Sequence, residues 1–244
     1  RQRQMCIRDR KKGIVFRMNA KVQSVKHEED KAIVAFTDLQ TNGVFELDAE
    51  AVLLATGRRP NTGGLNLEAA GVEVDVRGAI IVDEYLKTTN PNIRAVGDVK
   101  GGLQFTYISL DDYRIVREDL FGDKERKTND RNPVSYSVFI DPPLARIGLN
   151  EEEACKQNLD IIVKKLPAMA IPRAKTLGEM DGLLKAIIDK NTGKILGCML
   201  FAPDSGEVIN TVAIAMKAGL DYTFLRDFIF THPSMSEALN DLFS

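Results

Sequence analysis

Apolar and polar positions alternate along the first part of the chain and give way to helical spacing further on. Ile14 and Phe16 alternate with polar neighbours, residues 32–36 form a short apolar run, and Thr41-Asn42-Gly43 is a turn leading to Phe45 and Leu47 at period two. That pattern predicts a β meander. Residues 52–55 are continuously apolar and end at Thr56-Gly57, as expected of a strand buried on both faces. Val72, Val74 and Val76 alternate again, Gly78 marks a turn, and 79–82 reads as the return strand. Asn90-Pro91-Asn92 makes another turn before a short strand at 93–96 that runs into Gly97-Asp98. A helix is predicted from Thr106, with Tyr113, Val116 and Leu120 at helical spacing and Gly122 as its C-terminal stop.

Residues 123–133, GDKERKTNDRN, are almost wholly polar and read as a linker between modules. Beyond it, 136–140 is a predicted strand broken by Pro142-Pro143. Asn150 and Glu153 form a capping-box pattern with Leu149 in the staple position. Strands are predicted at 161–166, 182–189 and 195–201, the last two joined by a turn at 190–193. Asp204 and Glu207 form a second capping-box pattern, opening a helix whose Val208, Val212 and Met216 share one face and which ends at Gly219. The predicted fold class is α/β followed by α+β.

Composition narrows the function classes. Of 244 residues, 44 % are hydrophobic and 28 % charged, enough for a sizeable core. A balance of 33 basic against 35 acidic residues gives no bulk charge that would draw nucleic acid or an anionic membrane. No apolar run approaches the roughly 20 residues of a membrane span. The first twelve residues, RQRQMCIRDRKK, are strongly basic and read as a foreign head, an expression remnant or an assembly artefact. Without their six basic and one acidic side chains, 27 basic and 34 acidic residues remain, a formal charge of −7. Cys6, Cys155 and Cys198 fall in no metal or redox spacing, which argues for a reducing, cytoplasmic setting and predicts no metal site.

Three segments could carry chemistry. In Ala55-Thr56-Gly57-Arg58-Arg59-Pro60-Asn61 a strand ends in a glycine that admits close backbone approach and in arginines that can pair a phosphate; a basic solvent turn is the plainer reading. In Thr89 to Asp98, a carboxylate stands just beyond a strand end, where open α/β sheets bind ligands, although Gly-Asp is also an ordinary turn former. In Thr231-His232-Pro233-Ser234-Met235-Ser236-Glu237, proline holds His232 outside the following helix and Glu237 lies within reach of the imidazole. A carboxylate beside a histidine orients it for general acid–base work, while Ser234 and Glu237 also fit a plain capping box. His27, in the charged run 26–31, reads as a solvated loop residue, and Cys155 and Cys198 as structural.

The order of these segments resembles one family. ATGRRPNT, then TTNPNIRAVGD, then GGLQFTYISLDDYRIV, followed by NPVSYSVFIDPPLARIGLNEEEA, is similar to the FAD-dependent class I pyridine nucleotide-disulfide oxidoreductases over residues 13–244. Dihydrolipoamide dehydrogenase, glutathione reductase and mercuric reductase share the pattern. The resemblance implies that 13–57 is the C-terminal part of an NAD(P)-binding domain and 58–122 that of an FAD-binding domain. By the same resemblance 123–133 is a linker and 134–244 a homodimerisation domain. It implies that Asp98 bonds the ribityl or pyrophosphate region of FAD, and that the backbone of Thr106 meets the flavin pyrimidine edge. Gly57 and Arg58 would lie at the junction with the nicotinamide domain and Gln104 near the nicotinamide edge. His232, with Glu237, would protonate a thiolate in the partner subunit, Ser234 standing where the signature has threonine.

The family's Cys-x4-Cys and its G-x-G-x-x-G loops have no counterpart in the chain, which fits truncation better than divergence. GGLQFTYISLDDYRIVREDLFG and IFTHPSMSEALNDLF look like the branch of bacterial reactive-chlorine-resistance flavoproteins that reduce hypothiocyanous acid. Dihydrolipoamide dehydrogenase ranks second, and the lack of a cysteine pair after Glu237 disfavours mercuric reductase. The resemblance thus implies an NAD(P)H-dependent flavoenzyme acting on a small oxidised sulfur compound. The competing expectation is a non-catalytic dimerisation fragment.

Overall fold

The computed structural model describes residues 9, 10 and 12–244, so the basic head and Cys6 lie almost wholly outside the described residues. The chain divides into two units, the first ending at Asp130 and the second running over Arg131–Ser244.

The first unit opens with an antiparallel meander in sequence order, β1 (Ala20–Glu28), β2 (Lys31–Asp38) and β3 (Val44–Ala49); the last two lie where the pattern predicts them, whereas β1 lies downstream of the strand expected at Ile14 and Phe16. Phe36 and Phe45 are directly opposed across β2 and β3 and stack with ring centroids 5.7 Å apart. Asp38 accepts from the backbone of Gln40 and Thr41, and Asn42 takes a left-handed φ of 57°, which together make the predicted turn. His27 is exposed as expected but sits on β1, opposite Ala32, rather than in a loop.

Two predicted strands do not form. Residues 14–17 and 52–55 have no strand pairing, and Leu53 and Leu54 are exposed. A strand buried on both faces needs neighbours to take its N–H and C=O groups, and none of the described residues supplies them. Between 72 and 96 the expected strands shrink to isolated bridges, Val74 to Ile80, Val82 to Thr88 and Lys87 to Arg94. Side-chain turns compete with the ladder there: Asp75 accepts from the backbone of Arg77 and Ala79, and Asp83 from Tyr85 and Lys87. These backbone donors hold the Asp75 carboxyl below its ordinary range. Val72, Ile80 and Ala95 form the small core beneath.

Helix α1 (Thr106–Phe121) begins where predicted but buries the opposite face. Tyr113 and Leu120 are exposed, whereas Ile108, Asp111, Asp112, Ile115 and Asp119 are buried. Each buried carboxylate faces a cation: Arg126 at Asp111, Lys100 at Asp112, and both Arg94 and Lys87 at Asp119. Burial pushes the Asp119 carboxyl up, but the bonds from Arg94 and Lys87 outweigh it and hold the group below the usual carboxylate range. Apolar spacing alone picks the wrong face because it has no place for paired acids. Gly122 closes the helix with its N–H on Glu118, in extended rather than left-handed backbone.

The second unit is a five-stranded antiparallel sheet of β4 (Tyr136–Val138), β5 (Leu144–Gly148), β6 (Ile161–Pro167), β7 (Leu183–Asp189) and β8 (Ile195–Phe201), ordered β4-β5-β8-β7-β6. Its core joins Ala145, Leu184, Ile188 and Leu200 of the sheet to Val212, Leu239 and Phe243 of the helices. The capping box at Asn150 and Glu153 forms in full, opening α2 (Glu151–Lys156). Alongside lie α3 (Pro172–Leu177), α4 (Ser205–Lys217), α5 (Tyr222–Asp227) and α6 (Ala238–Phe243).

The second predicted capping box fails. Asp204 is left-handed at φ 54° and its side chain makes no cap, while Ser205 Oγ instead donates to the Ala202 carbonyl at 2.6 Å. The far end of α4 behaves as read: Gly219, at φ 70°, donates to Met216 and Leu220 to Ala215. The short helices α3, α5 and α6 are too brief for periodicity to reveal, although Pro172 at the first position of α3 and Asp221 capping Thr223 are local start signals. Among the described residues no helix is long and apolar enough to cross a membrane.

Candidate functional site

The segment between α5 and α6 carries His232. Asp221 starts α5 by accepting from Thr223 N–H at 2.8 Å. At the other end Ser234 Oγ donates to the Thr231 carbonyl at 2.7 Å, Ser234 N–H donates to Glu237 Oε1 at 3.2 Å, and Glu237 N–H donates to Ser234 Oγ at 3.3 Å. The bonding is reciprocal, as in a capping box, but it closes the turn 234–237 ahead of α6, whose N-cap position is Glu237 itself with no side-chain cap. The second carboxylate oxygen, Oε2, lies 2.7 Å from His232 Nδ1. One carboxylate thus serves the turn with one oxygen and the imidazole with the other. Met235, Ala238 and Leu239 anchor the turn in the core.

The side chain of Glu237 is only 17 % exposed, whereas that of His232 is 69 % exposed. An ionised carboxylate can only accept, so the neutral ring carries its proton on Nδ1 and leaves the Nε2 lone pair for chemistry. The arrangement is an oriented, accessible imidazole backed by a shielded acid. It can take or give a proton at Nε2.

The other candidate residues lie in the first unit. Gly57 has a φ of 98°, open to glycine and strained for other residues. Arg58, Arg59, Arg77, Gly101, Gly102 and Gln104 line a cleft of about 580 Å³. Arg58 Nη1 reaches Asp98 Oδ2 at 3.4 Å, with both side chains substantially exposed, so this pair can be exchanged for a ligand at little cost. Asp98 sits on a 3-10 turn, Gly97–Lys100, and Thr106 is the first residue of α1. Phe105, at the helix N-cap, supplies no side-chain acceptor, which leaves this end suited to a negatively polarised group.

What sequence reasoning passed over is the support for this turn. Gly97 N–H donates to Asp112 Oδ2 at 2.7 Å, and Lys100 Nζ stands 3.5 Å from the same oxygen. Gly97 has φ 72°, a conformation strained for residues with a side chain, and a Cβ there would crowd Ser109 Oγ at 3.1 Å. The signal available in the sequence was a pair of adjacent aspartates within an otherwise amphipathic helix.

The two described cysteines differ in burial. Burial pushes Cys198 up to about 12, whereas Cys155 on α2 is exposed rather than packed. Iodoacetamide labelling of the folded chain near neutral pH, read by peptide mass, is expected to modify Cys155 and spare Cys198. Equal labelling rates would contradict the burial of β8. Among the described residues no group of three or more His, Cys, Asp or Glu side chains is placed to hold a metal ion.

A family model described as pyridine nucleotide-disulphide oxidoreductase matches residues 4–112, and one described as the dimerisation domain of the same enzymes matches 134–243. The Escherichia coli (strain K12) protein named "Probable pyridine nucleotide-disulfide oxidoreductase RclA" is 52 % identical over 235 residues, covering 96 % of this chain and 52 % of that protein. Mercuric reductase of Bacillus cereus is 38 % identical over 193 residues, covering 79 % of this chain and 30 % of that one. The solved structure of the HOCl-induced flavoprotein disulfide reductase RclA from Escherichia coli superposes with a TM-score of 0.91 at 50 % identity, over 98 % of this chain and 54 % of that one. The chain thus spans about half the length of the Escherichia coli protein that it matches.

Proposed function

The chain belongs to the pyridine nucleotide-disulphide oxidoreductases, and from that premise we propose that it forms part of an FAD-dependent enzyme carrying electrons from NAD(P)H, by way of a cysteine pair, to a small oxidised sulfur compound of the hypothiocyanous acid type. The observation that carries this reading is the 2.7 Å contact between His232 Nδ1 and Glu237 Oε2, on a loop that leaves Nε2 accessible. The choice of acceptor is supported by the 52 % identity to RclA, whose solved form is described as an HOCl-induced flavoprotein disulfide reductase.

The residues present fit a flavin. Asp98 is a half-exposed acceptor suited to sugar hydroxyls, and the helix end at Thr106 offers backbone N–H groups without a side-chain cap. FAD, when bound, supplies the two-electron acceptor that nicotinamide chemistry requires. Thr106 then favours negative charge at the pyrimidine edge through the helix dipole, which is worth typically about 0.3–1 kcal/mol at an exposed site. Gly57 and Arg58 stand at the junction with the nicotinamide domain, and Gln104 stands at the nicotinamide edge. With Nδ1 held by Glu237, the His232 ring takes up a proton at Nε2, becoming imidazolium, and gives that proton to a cysteine thiolate of the partner subunit.

In this reading 13–57 closes the nicotinamide domain, 58–122 closes the flavin domain, 123–133 links them to the last module, and 134–244 makes the homodimer. A cytoplasmic, reducing setting suits the cysteine usage. In the complete flavoenzyme bearing these residues, NAD(P)H oxidation is expected to depend on added hypothiocyanous acid and to outpace that with oxidised lipoamide. Faster turnover with lipoamide would move the assignment to dihydrolipoamide dehydrogenase; NAD(P)H oxidation indifferent to either acceptor would end the disulfide-reductase reading.

A further inference from the structure

The geometry points to Asn240 as the positioning residue that aims His232, an inference that rests on the acid–base reading of that histidine and deepens it. Asn240 lies on α6, and its Nδ2 stands 2.9 Å from each of three backbone carbonyls, those of Leu225, Arg226 and Phe228. Those carbonyls belong to the last turn of α5 and the residue just after it.

A helix end leaves its last four carbonyls without intrahelical donors. The usual remedy is a left-handed glycine whose following N–H groups fold back. Helix α5 lacks it: Phe228 follows in extended backbone, at φ −68° and ψ 143°. The chain therefore leaves α5 straight towards His232, and the donors come from across the turn. An amide NH2 is the fitting group, because it carries two hydrogens and can share them among three acceptors.

The consequence is mechanical. Glu237 immediately precedes α6, and Asn240 lies one helical turn further along it. Asn240 holds the start of the 228–237 segment and Glu237 holds its end, so both ends are tied to one short helix buried by Leu239, Leu242 and Phe243. Between these ends Ile229 is 92 % exposed, Phe230 packs against the core, Phe228 meets Phe224 of α5 with ring centroids 5.7 Å apart, and Ser234 Oγ bonds the Thr231 carbonyl. Asn240 supplies the side-chain bonds to the carbonyls where the segment leaves α5. Release of the Asn240 clamp would let the strand between α5 and His232 swing. The ring would then lose its register on Glu237 Oε2 even though the carboxylate stayed in place.

The chain contains only two histidines, His27 and His232, so the ring can be watched directly in the 244-residue protein. Two-bond 1H–15N correlations, recorded where the rings are neutral and assigned with His27→Gln, should show His232 protonated at Nδ1. The isosteric Asn240→Asp removes both donors while keeping the shape, and Asn240→Ala removes the side chain. Both are expected to shift His232 towards the Nε2-protonated form usual in water. Amide exchange across 228–234 should rise about tenfold, the scale of one net hydrogen bond, with β7 and β8 protected as before. Native tautomer and native protection in both variants would overturn the proposal. So would protection lost equally from β7 and β8, which would make Asn240 a general stability residue; if Asn240→Asp does not fold, Asn240→Ala decides between the same outcomes. A complete enzyme indifferent to loss of His232 would remove the acid–base reading but leave the positioning result intact.

Discussion

Replacing His232 with alanine in the complete flavoenzyme is expected to slow turnover with the sulfur acceptor by about 10²–10⁴-fold, the range for a positioned general acid–base group, while NAD(P)H still reduces the flavin at its former rate. The two half-reactions separate because nothing in the His232 loop belongs to the elements that carry Asp98, Arg58 and Gln104. Stopped-flow absorbance reads the first half and steady-state acceptor reduction the second. Glu237→Gln should fall between wild type and His232→Ala, since the amide keeps an oxygen for the Ser234 cap but no longer obliges Nδ1 to hold the proton. Unchanged turnover in His232→Ala would reduce the motif to the turn that Ser234 and Glu237 close. Ser234→Ala would then matter only for stability, by about 0.5–2 kcal/mol.

The parts of this molecule that were legible in the sequence are those whose partners are close in sequence. The strands β2 and β3, the hairpin of β7 and β8 and the Asn150 cap are all local arrangements, and each appears where alternation or turn chemistry places it. His232 and Glu237 are five residues apart, so their meeting was readable too. Residues 52–55 failed for the opposite reason, since a strand exists only through neighbours and its own composition cannot supply them. Helix α1 failed on its face rather than its existence. Its acids are buried by cations from positions 87, 94, 100 and 126, four separations that no local rule encodes. The Asn240 clamp was equally hidden, for asparagine in a helix ordinarily reads as a weak helix former, and its three acceptors lie 12 to 15 residues back.

Asp112→Ala is expected to destabilise the first unit by about 3–5 kcal/mol, the cost of stripping one partner from a buried ion pair, and to weaken FAD binding in the complete enzyme. Asp112 is fully buried, and the Lys100 side chain beside it is 9 % exposed, so water cannot solvate the ammonium that the mutation leaves behind. The same carboxylate oxygen also accepts from Gly97 N–H, tying the turn that bears Asp98 to the helix that starts at Thr106. Stability and cofactor geometry are therefore joined in one atom, and two further variants separate them. Asp112→Asn keeps an acceptor for Gly97 but not the charge for Lys100, so urea denaturation should show a loss while FAD affinity stays near wild type. The double change Asp112→Leu with Lys100→Met removes both charges and should restore much of the stability, because an apolar pair of similar volume replaces a buried ion pair at little or no net cost. It cannot restore the Gly97 bond, so FAD affinity should remain low. Recovery of both properties in the double variant would show that Asp112 serves only to neutralise Lys100 and that the Asp98 turn holds its own shape.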